Sequence, residues 1–178
     1  MQRCVFFDRD GVVNESPGAG RYVLDWSAFR LHAGFVEALE AARDCGYAAA
    51  VVTNQRCVAM GLLSLDSLLD MHRRLRELLR DKHGLELLDI MACPHEEGEC
   101  ECRKPRPGML LELCRRHNLD MAASWMVGDA ETDVQAGLRA GCRAILVSSG
   151  PGATAADFTV PTMRELPLLL RRVLLCGS

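Results

Sequence analysis

The sequence predicts an α/β protein built as a three-layer α/β/α sandwich around a central parallel sheet. Short, continuously apolar runs alternate with amphipathic helical patterns along the whole chain. Strands that are apolar at every position are buried on both faces, as parallel strands are when helices cover the sheet. With 178 residues, of which 49% are hydrophobic and 25% charged, the chain suits one compact domain and is not disordered.

The predicted strands are short apolar runs that end at charged or turn-forming residues. The second of them reads Ala-Ala-Ala-Val-Val-Thr, and the last is a three-residue edge strand. In chain order, we predict strands at 4–7, 48–53, 87–92, 124–127, 144–147 and 158–160.

The predicted helices carry apolar residues at helical spacing and have recognisable ends. Gly46 and Gly141 follow the first and fourth, and Pro107 stands in the first turn of the third, where proline is tolerated. We predict helices at 35–45, 64–82, 107–118, 132–140 and 162–175.

Charge and hydropathy argue against several classes of protein. A net charge of −3 does not suit a protein that coats nucleic acid. Residues 1–10 contain charges where a signal peptide needs an apolar run, and Arg171 and Arg172 interrupt the apolar tail. We therefore expect a cytoplasmic protein with reduced thiols, no nucleic-acid or membrane partner, and a monomer as the default state.

Carboxylates follow two of the predicted strands. Asp8 and Asp10 come directly after the first strand, and Asp129 and Asp133 after the fourth. Ligand sites in parallel sheets lie at the carboxyl ends of the strands. One such aspartate by itself would be an ordinary loop or capping residue, but four at strand ends would repel each other without a cation. Oxygen ligands favour a hard ion, so the pattern predicts a Mg²⁺ site.

Four segments, in order, resemble the motifs of the haloacid-dehalogenase (HAD)-like phosphatases. They are Asp8-Arg-Asp10-Gly-Val-Val, Val51-Val-Thr53-Asn54-Gln, Arg103-Lys104-Pro and Gly128-Asp129-Ala-Glu-Thr-Asp133. The resemblance covers most of the chain and implies a HAD-like, Rossmann-like core.

The resemblance also implies roles in phosphate-ester hydrolysis. Asp8 would be the nucleophile that forms an aspartyl-phosphate, and Asp10 the general acid and then the general base. Thr53, the Asn54 backbone and Lys104 would stabilise the phosphoryl oxygens. Taken alone, the Thr53-Asn54 pair would be an ordinary turn, but its place in the ordered set favours phosphate binding.

Magnesium ligands follow from the same resemblance. Mg²⁺ would be held by the Asp8 carboxylate, the Asp10 backbone carbonyl and Asp129. Asp133 would act behind these ligands or through a water molecule.

Cysteines are unevenly distributed and suggest a second metal. Cys93-Pro-His95 and Cys100-Glu-Cys102 form a C-x-H-x4-C-x-C pattern. Ligands two apart on an extended strand face the same way, and three thiolates with one imidazole make a closed tetrahedral Zn²⁺ site. A disulfide from Cys93 to Cys102, or plain loop cysteines, are the alternatives. We predict one domain spanning 1–178 with a structural zinc loop at 93–102.

The zinc loop leads directly into Arg103 and Lys104, so zinc would hold both cations at the site. The other cysteines are interpreted as small packing residues, with Cys57 near the proposed phosphate site as the exception. They are Cys4, Cys45, Cys57, Cys114, Cys142 and Cys176.

The zinc loop and the Arg-Lys pair resemble the capless branch that contains heptose bisphosphate and histidinol-phosphate phosphatases. In that branch the arginine, here Arg103, helps to recognise the substrate, and Arg21-Tyr22 would match a substrate-facing segment. Met60 stands where the branch has a cation, and we expect Arg56 to replace that cation.

Three functions follow as hypotheses. The favoured one is Mg²⁺-dependent removal of the 7-phosphate from D-glycero-D-manno-heptose 1,7-bisphosphate. The second is hydrolysis of histidinol phosphate or another small phosphorylated metabolite. The third is a catalytically decayed zinc-loop interaction module, which would require a missing nucleophile or metal ligand, whereas Asp8, Asp10, Thr53, Lys104 and Asp129 are all present.

Overall fold

A computed structural model describes residues 1–150 and 152–175 and contains one six-stranded sheet. The strands are β1 (Cys4–Phe7), β2 (Ala48–Asn54), β3 (Asp89–Cys93), β4 (Trp125–Gly128), β5 (Arg143–Val147) and β6 (Phe158–Val160). Their order in the sheet is β3-β2-β1-β4-β5-β6, and every neighbouring pair is parallel. All carboxyl ends therefore lie along one edge.

The described residues form five α-helices, of which four connect successive strands and the last follows β6. They are α1 (Ala33–Asp44), α2 (Leu65–His83), α3 (Gly108–His117), α4 (Glu131–Arg139) and α5 (Leu166–Leu175). Ser64 caps α2 by accepting a hydrogen bond from the Ser67 N–H at 3.1 Å, and Gly84 ends it in the left-handed conformation (φ 63°).

Each face of the sheet has its own apolar core. Val5 and Phe7 pack on the face covered by α1, α2 and α5, where Phe7 meets Phe35 edge-to-face at 5.3 Å. Cys4 and Phe6 point to the opposite face, which α3 and α4 cover. This alternation along β1 produces the three layers, and the predicted fold class is confirmed.

Most predicted boundaries shift by one to four residues, and two of these shifts have local reasons. Strand β3 starts at Asp89, two residues later than predicted, and the preceding Leu87 carbonyl accepts from the Arg76 guanidinium at 2.8 Å. Helix α5 starts at Leu166 instead of residue 162. This start places Pro167 in the first turn, where its missing N–H has no helical partner to lose.

A short 3-10 turn at Trp26–Ala28 was not predicted. Asp25 caps it by accepting from the Ala28 N–H at 3.1 Å. Within residues 1–150 and 152–175, no helix combines the length and the apolar character that crossing a membrane requires.

The cysteines of the described residues are free thiols. The Sγ atoms of Cys93 and Cys102 are 3.1 Å apart, beyond the bond length of a disulfide. Cys4, Cys45 and Cys142 are buried, in agreement with packing roles, and Cys57, the predicted exception, is buried as well. The prediction for Cys176 lies outside the described residues.

Candidate active site

A buried lysine lies at the centre of the sheet's carboxyl edge. Lys104 is 4% exposed, and its Nζ donates to Asp8, to Asp133 Oδ1 at 2.6 Å and to the Val52 carbonyl at 2.9 Å. These three bonds use all three ammonium protons. Burial alone would lower the pKa of Lys104, but the carboxylates of Asp133 and Asp8 outweigh burial and raise it above the ordinary value. The lysine therefore stays charged.

Three carboxylates surround this lysine closely enough to share an ion. One oxygen each from Asp8, Asp129 and Asp133 lies within 4.8 Å of the others. Burial raises the pKa of Asp8 to about 7, against the opposing effect of Lys104. Partial burial and the charge of Asp133 raise the pKa of Asp129 to about 6, although its side chain reaches solvent. The oxygen-only donor set suits a hard divalent cation.

A glycine makes room for the carboxylate at the rim of this group. Gly11 has φ +100°, and a Cβ built there would lie 2.0 Å from Asp129 Oδ2. A side chain at this position would be strained and would displace the carboxylate. The tight turn after β1 therefore strongly favours glycine at this position.

Asp133 is held at both of its oxygens. Oδ1 pairs with Lys104, and Oδ2 accepts from the Ala130 N–H at 3.1 Å in the first turn of α4. A Cβ at Gly128 would lie 2.2 Å from Asp133 Cβ, so glycine permits this close packing against β4. Asp133 thus fixes the position of the Lys104 ammonium.

The end of β2 is joined to the segment that carries Lys104. Asn54 Nδ2 donates to the Lys104 carbonyl at 3.0 Å, and Asn54 Oδ1 accepts from the Lys104 N–H at 3.0 Å. Thr53 is 1% exposed, and its hydroxyl accepts from Gln55 Nε2 at 2.8 Å. The Asn54 side chain therefore has a structural role that sequence reasoning missed.

Asp10 is held by three donors, none of which was predicted from the sequence. Its Oδ1 accepts from Asn14 Nδ2 at 3.0 Å, and its Oδ2 accepts from Gln55 Nε2 at 2.8 Å. The Arg9 guanidinium binds both oxygens, with Nη2 at 3.1 and 3.0 Å. The available signal was a charged Arg9 two residues after a strand that is apolar at every position.

Cys93, His95, Cys100 and Cys102 converge beside the carboxylate group, with their ligand atoms within 4.8 Å of one another. The Sγ atoms are 3.1–3.4 Å apart, and His95 Nδ1 lies 3.3 Å from Cys102 Sγ. Thiolates bound to a tetrahedral Zn²⁺ at about 2.3 Å are about 3.8 Å apart, so these four atoms would share one ion after a small outward movement. Burial by itself would raise the pKa of Cys100, but hydrogen bonds from neighbouring thiols and backbone N–H groups lower that pKa to about 7.

The loop that carries these ligands folds back on the start of α3. The Gly108 N–H donates to the Glu101 carbonyl at 3.1 Å, and a Cβ at Gly108 would lie 2.3 Å from that oxygen. Arg106 Nη1 donates to the Cys100 carbonyl at 2.6 Å. Arg103 donates to the His95 carbonyl at 3.4 Å and lines a cleft of about 440 Å³ next to Lys104.

The remaining predicted substrate residues lie on the outer rim. Arg56 Nε pairs with Glu96 Oε2 at 2.5 Å, so it contacts the zinc loop. Tyr22 donates to Met60 Sδ at 3.7 Å. The Arg21 side chain is exposed and, within the part of the chain that the structure describes, makes no hydrogen bond to the carboxylate group.

Comparison with known proteins identifies the class of enzyme. A family model described as HAD-hydrolase-like matches residues 101–163, which contain Lys104, Asp129 and Asp133. A crystal structure of D,D-heptose 1,7-bisphosphate phosphatase from B. bronchiseptica, complexed with magnesium and phosphate, superposes with a TM-score of 0.85 at 28% identity. The alignment covers 97% of this chain and 99% of that one.

Two relatives extend the comparison to almost the whole sequence. D-glycero-beta-D-manno-heptose-1,7-bisphosphate 7-phosphatase of Yersinia pestis is 36% identical over 94% of both chains. D-glycero-alpha-D-manno-heptose-1,7-bisphosphate 7-phosphatase of Mycobacterium bovis is 33% identical over 92% of this chain and 89% of its own length. The chain belongs to the HAD-like hydrolases and is one of their phosphatases.

Proposed function

We propose that the chain is a Mg²⁺-dependent phosphomonoester hydrolase that removes the 7-phosphate of D-glycero-D-manno-heptose 1,7-bisphosphate. The buried Lys104, held between Asp8 and Asp133 beside Asp129, is the observation that carries the chemistry. The names of the relatives support the sugar bisphosphate as substrate.

Mg²⁺ would be held by the Asp8 carboxylate, the Asp10 backbone carbonyl and Asp129. Asp133 would not bind the ion directly, because one of its oxygens pairs with Lys104 and the other accepts from the Ala130 N–H. When bound, the ion neutralises the crowded carboxylates and withdraws charge from the phosphoryl oxygens.

In the first step, an Asp8 oxygen attacks phosphorus and the bond from phosphorus to the C7 oxygen breaks. The electron pair stays on that oxygen, and Asp10 supplies the proton that makes it a hydroxyl. Lys104 and Thr53 stabilise the charge on the phosphoryl oxygens during transfer. The product is an aspartyl-phosphate on Asp8.

In the second step, water attacks the phosphorus of this intermediate. Asp10, now a carboxylate, accepts the proton from the water, and the bond between phosphorus and the Asp8 oxygen breaks. Inorganic phosphate leaves, the Asp8 carboxylate is restored, and Asp10 is protonated for the next cycle.

The four ligands Cys93, His95, Cys100 and Cys102 are proposed to hold a structural Zn²⁺ with no open position. The zinc loop would present Arg103 and Lys104 to the substrate. Arg103, which lines the cleft next to Lys104, would bind the distal part of the sugar phosphate.

Other substrate contacts are proposed at the rim. The Asn54 backbone would bind the phosphoryl group, while its side chain fixes Lys104. Arg56, Arg21 and Tyr22 would border the sugar, with Arg56 acting from its ion pair with Glu96.

A substrate panel with Mg²⁺ tests the proposal. We expect the highest kcat/KM on one anomer of the heptose bisphosphate, and both anomers are included because the relatives differ in this respect. Asp8→Asn and EDTA should each abolish phosphate release. A higher kcat/KM on histidinol phosphate would overturn the substrate, and activity that survives Asp8→Asn would overturn the mechanism. No phosphate release from any compound would favour the decayed interaction module.

A further inference from the structure

We infer that Arg9 is the positioning residue for the acid–base carboxylate of Asp10. The inference rests on the proposed function, because it takes the role of Asp10 from there. Arg9 lies between the two aspartates of the first motif, and its side chain is completely buried. A buried guanidinium needs an anionic partner, and the carboxylate beside it provides one.

The contacts between the two side chains involve both carboxylate oxygens. Arg9 Nη2 lies 3.0 Å from Asp10 Oδ2 and 3.1 Å from Oδ1, and Arg9 Nε lies 3.3 Å from Oδ1. Such two-point binding by a planar guanidinium fixes the plane of the carboxylate as well as its position. Asn14 and Gln55 each add one bond to a different oxygen.

Arg9 is itself held in place from two sides. The Arg9 carbonyl accepts from the N–H groups of Val13 and Asn14, each at 2.9 Å, so the turn after β1 closes around it. Its Nη1 contacts Met71 Sδ of α2 at 3.9 Å. Within the described residues, its one ion pair is with Asp10.

The neighbouring histidine adds no competing charge. His72 is 5% exposed, and its Nε2 has no hydrogen-bond partner among the described residues. Burial, together with the charge of Arg9, lowers the pKa of His72 to about 3. His72 is therefore neutral at physiological pH and adds no positive charge to that of Arg9.

Gln55 connects this arrangement to the phosphate-binding strand end. Its Nε2 donates to Asp10 Oδ2 and to Thr53 Oγ1, both at 2.8 Å, and its Oε1 accepts from Cys57 Sγ at 3.5 Å. The acid–base carboxylate and the phosphate-binding hydroxyl are thus fixed relative to each other. Arg9 binds both oxygens of the same carboxylate.

The functional consequence depends on the leaving group. An alkoxide needs a proton as it leaves, whereas a nitrophenolate leaves readily without one. A correctly placed general acid contributes about 10²–10⁴-fold to such a step. If Arg9 positions Asp10, its removal should impair alkyl phosphates much more than aryl phosphates.

The experiment compares kcat/KM on glycerol phosphate and on 4-nitrophenyl phosphate for the wild type, Arg9→Lys and Arg9→Met. The parameter kcat/KM reports formation of the aspartyl-phosphate, so the base role of Asp10 in the second step does not enter. We expect the alkyl-to-aryl ratio of kcat/KM to fall about tenfold or more in Arg9→Met and less in Arg9→Lys. If Arg9→Met does not fold, Arg9→Lys, which keeps the charge but loses the two-point contact, serves in its place. Gln55→Met, which removes a separate donor to Asp10 and leaves Arg9 in place, should lower the ratio in the same direction.

Arg3→Met is the matched control. Arg3 lies just before the other end of β1, where it stacks on Tyr47 at 4.5 Å and donates to the Cys45 carbonyl at 3.3 Å. Its removal should change stability but leave the ratio unchanged. Equal loss on both substrates, or an unchanged ratio, in folded Arg9 and Gln55 variants would overturn the inference alone. An unchanged ratio in Asp10→Asn would overturn the proposed role of Asp10 and the inference with it.

Discussion

Asn54 and Lys104, 50 residues apart in the chain, exchange two hydrogen bonds of 3.0 Å between a side-chain amide and a backbone. The amide offers one donor and one acceptor, which match the carbonyl and the N–H of Lys104. This contact joins the end of β2 to the segment that leaves the zinc loop. The position of the Lys104 ammonium therefore depends on Asn54 as well as on its carboxylate partners.

Asn54→Asp should lower activity by about 10–100-fold, because an ionised carboxylate next to the Lys104 carbonyl replaces a buried donor by a repulsive acceptor. A lost buried hydrogen bond of this kind costs about 1–3 kcal/mol. The measurement is kcat with Mg²⁺ on a phosphomonoester. Asn118→Asp is the control, since Asn118 is exposed at the end of α3. Equal activity in the two variants would contradict the proposed importance of the contact.

Gly11→Ala should raise the Mg²⁺ concentration needed for half-maximal activity. The added Cβ would meet Asp129 Oδ2 at 2.0 Å and force a proposed ligand out of place. Gly84→Ala is a matched control, because Gly84 also has positive φ (+63°) but a Cβ added there would meet nothing within 4 Å. It should cost about 1–2 kcal/mol of stability and leave the Mg²⁺ dependence unchanged. Parallel Mg²⁺ titrations distinguish a local clash from backbone strain.

Cys100→Ser should remove bound zinc, loosen the loop and reduce turnover while Asp8 is intact. Metal content by atomic absorption, Tm and kcat are measured on the same preparation. Cys114→Ser is the control, because Cys114 Sγ donates to the Leu119 carbonyl at 3.3 Å, away from the zinc loop. A zinc-free Cys100 variant with full kcat and unchanged Tm would show that the loop does not need the metal.

We predict that His72 causes part of the fall in folding stability at acid pH. Its pKa is about 3 in the folded state, below the ordinary 6.5, so between these values the unfolded state binds a proton that the folded state does not. Stability therefore falls as pH drops below about 6.5. Going from pH 7 to pH 5, His72→Gln should lose about 2 kcal/mol less stability than the wild type.

Urea unfolding at pH 7 and pH 5 measures this difference. His83→Gln is the control, because His83 is exposed in the last turn of α2. The wild type and His83→Gln should show the same pH dependence. If the stability of His72→Gln depends on pH as strongly as that of the wild type, His72 takes up its proton in the folded state, contrary to the prediction.

Much of the architecture was readable because each feature is local in the chain. Continuous apolar runs such as Cys4–Phe7 have to be buried on both faces, and parallel strands place their carboxyl ends together. The aspartates after β1 and β4, and the closely spaced cysteines, could therefore be predicted as two groups. Glycine after the first and fourth helices and proline at the start of the third indicated these three helix ends to within one residue.

Only the tertiary structure decided how individual side chains are used. Hydrogen bonding does not depend on distance along the chain, and the sequence contains no periodic signal for it. Asn54 holds Lys104 and Arg56 pairs with Glu96, although each was predicted as a substrate contact. The sequence by itself determined the fold class and the residue types of the two proposed metal sites. Packing at the sheet edge decided that Gln55, 45 residues away in the chain, joins the local donors Arg9 and Asn14 on Asp10, because β1 and β2 are brought together only by folding.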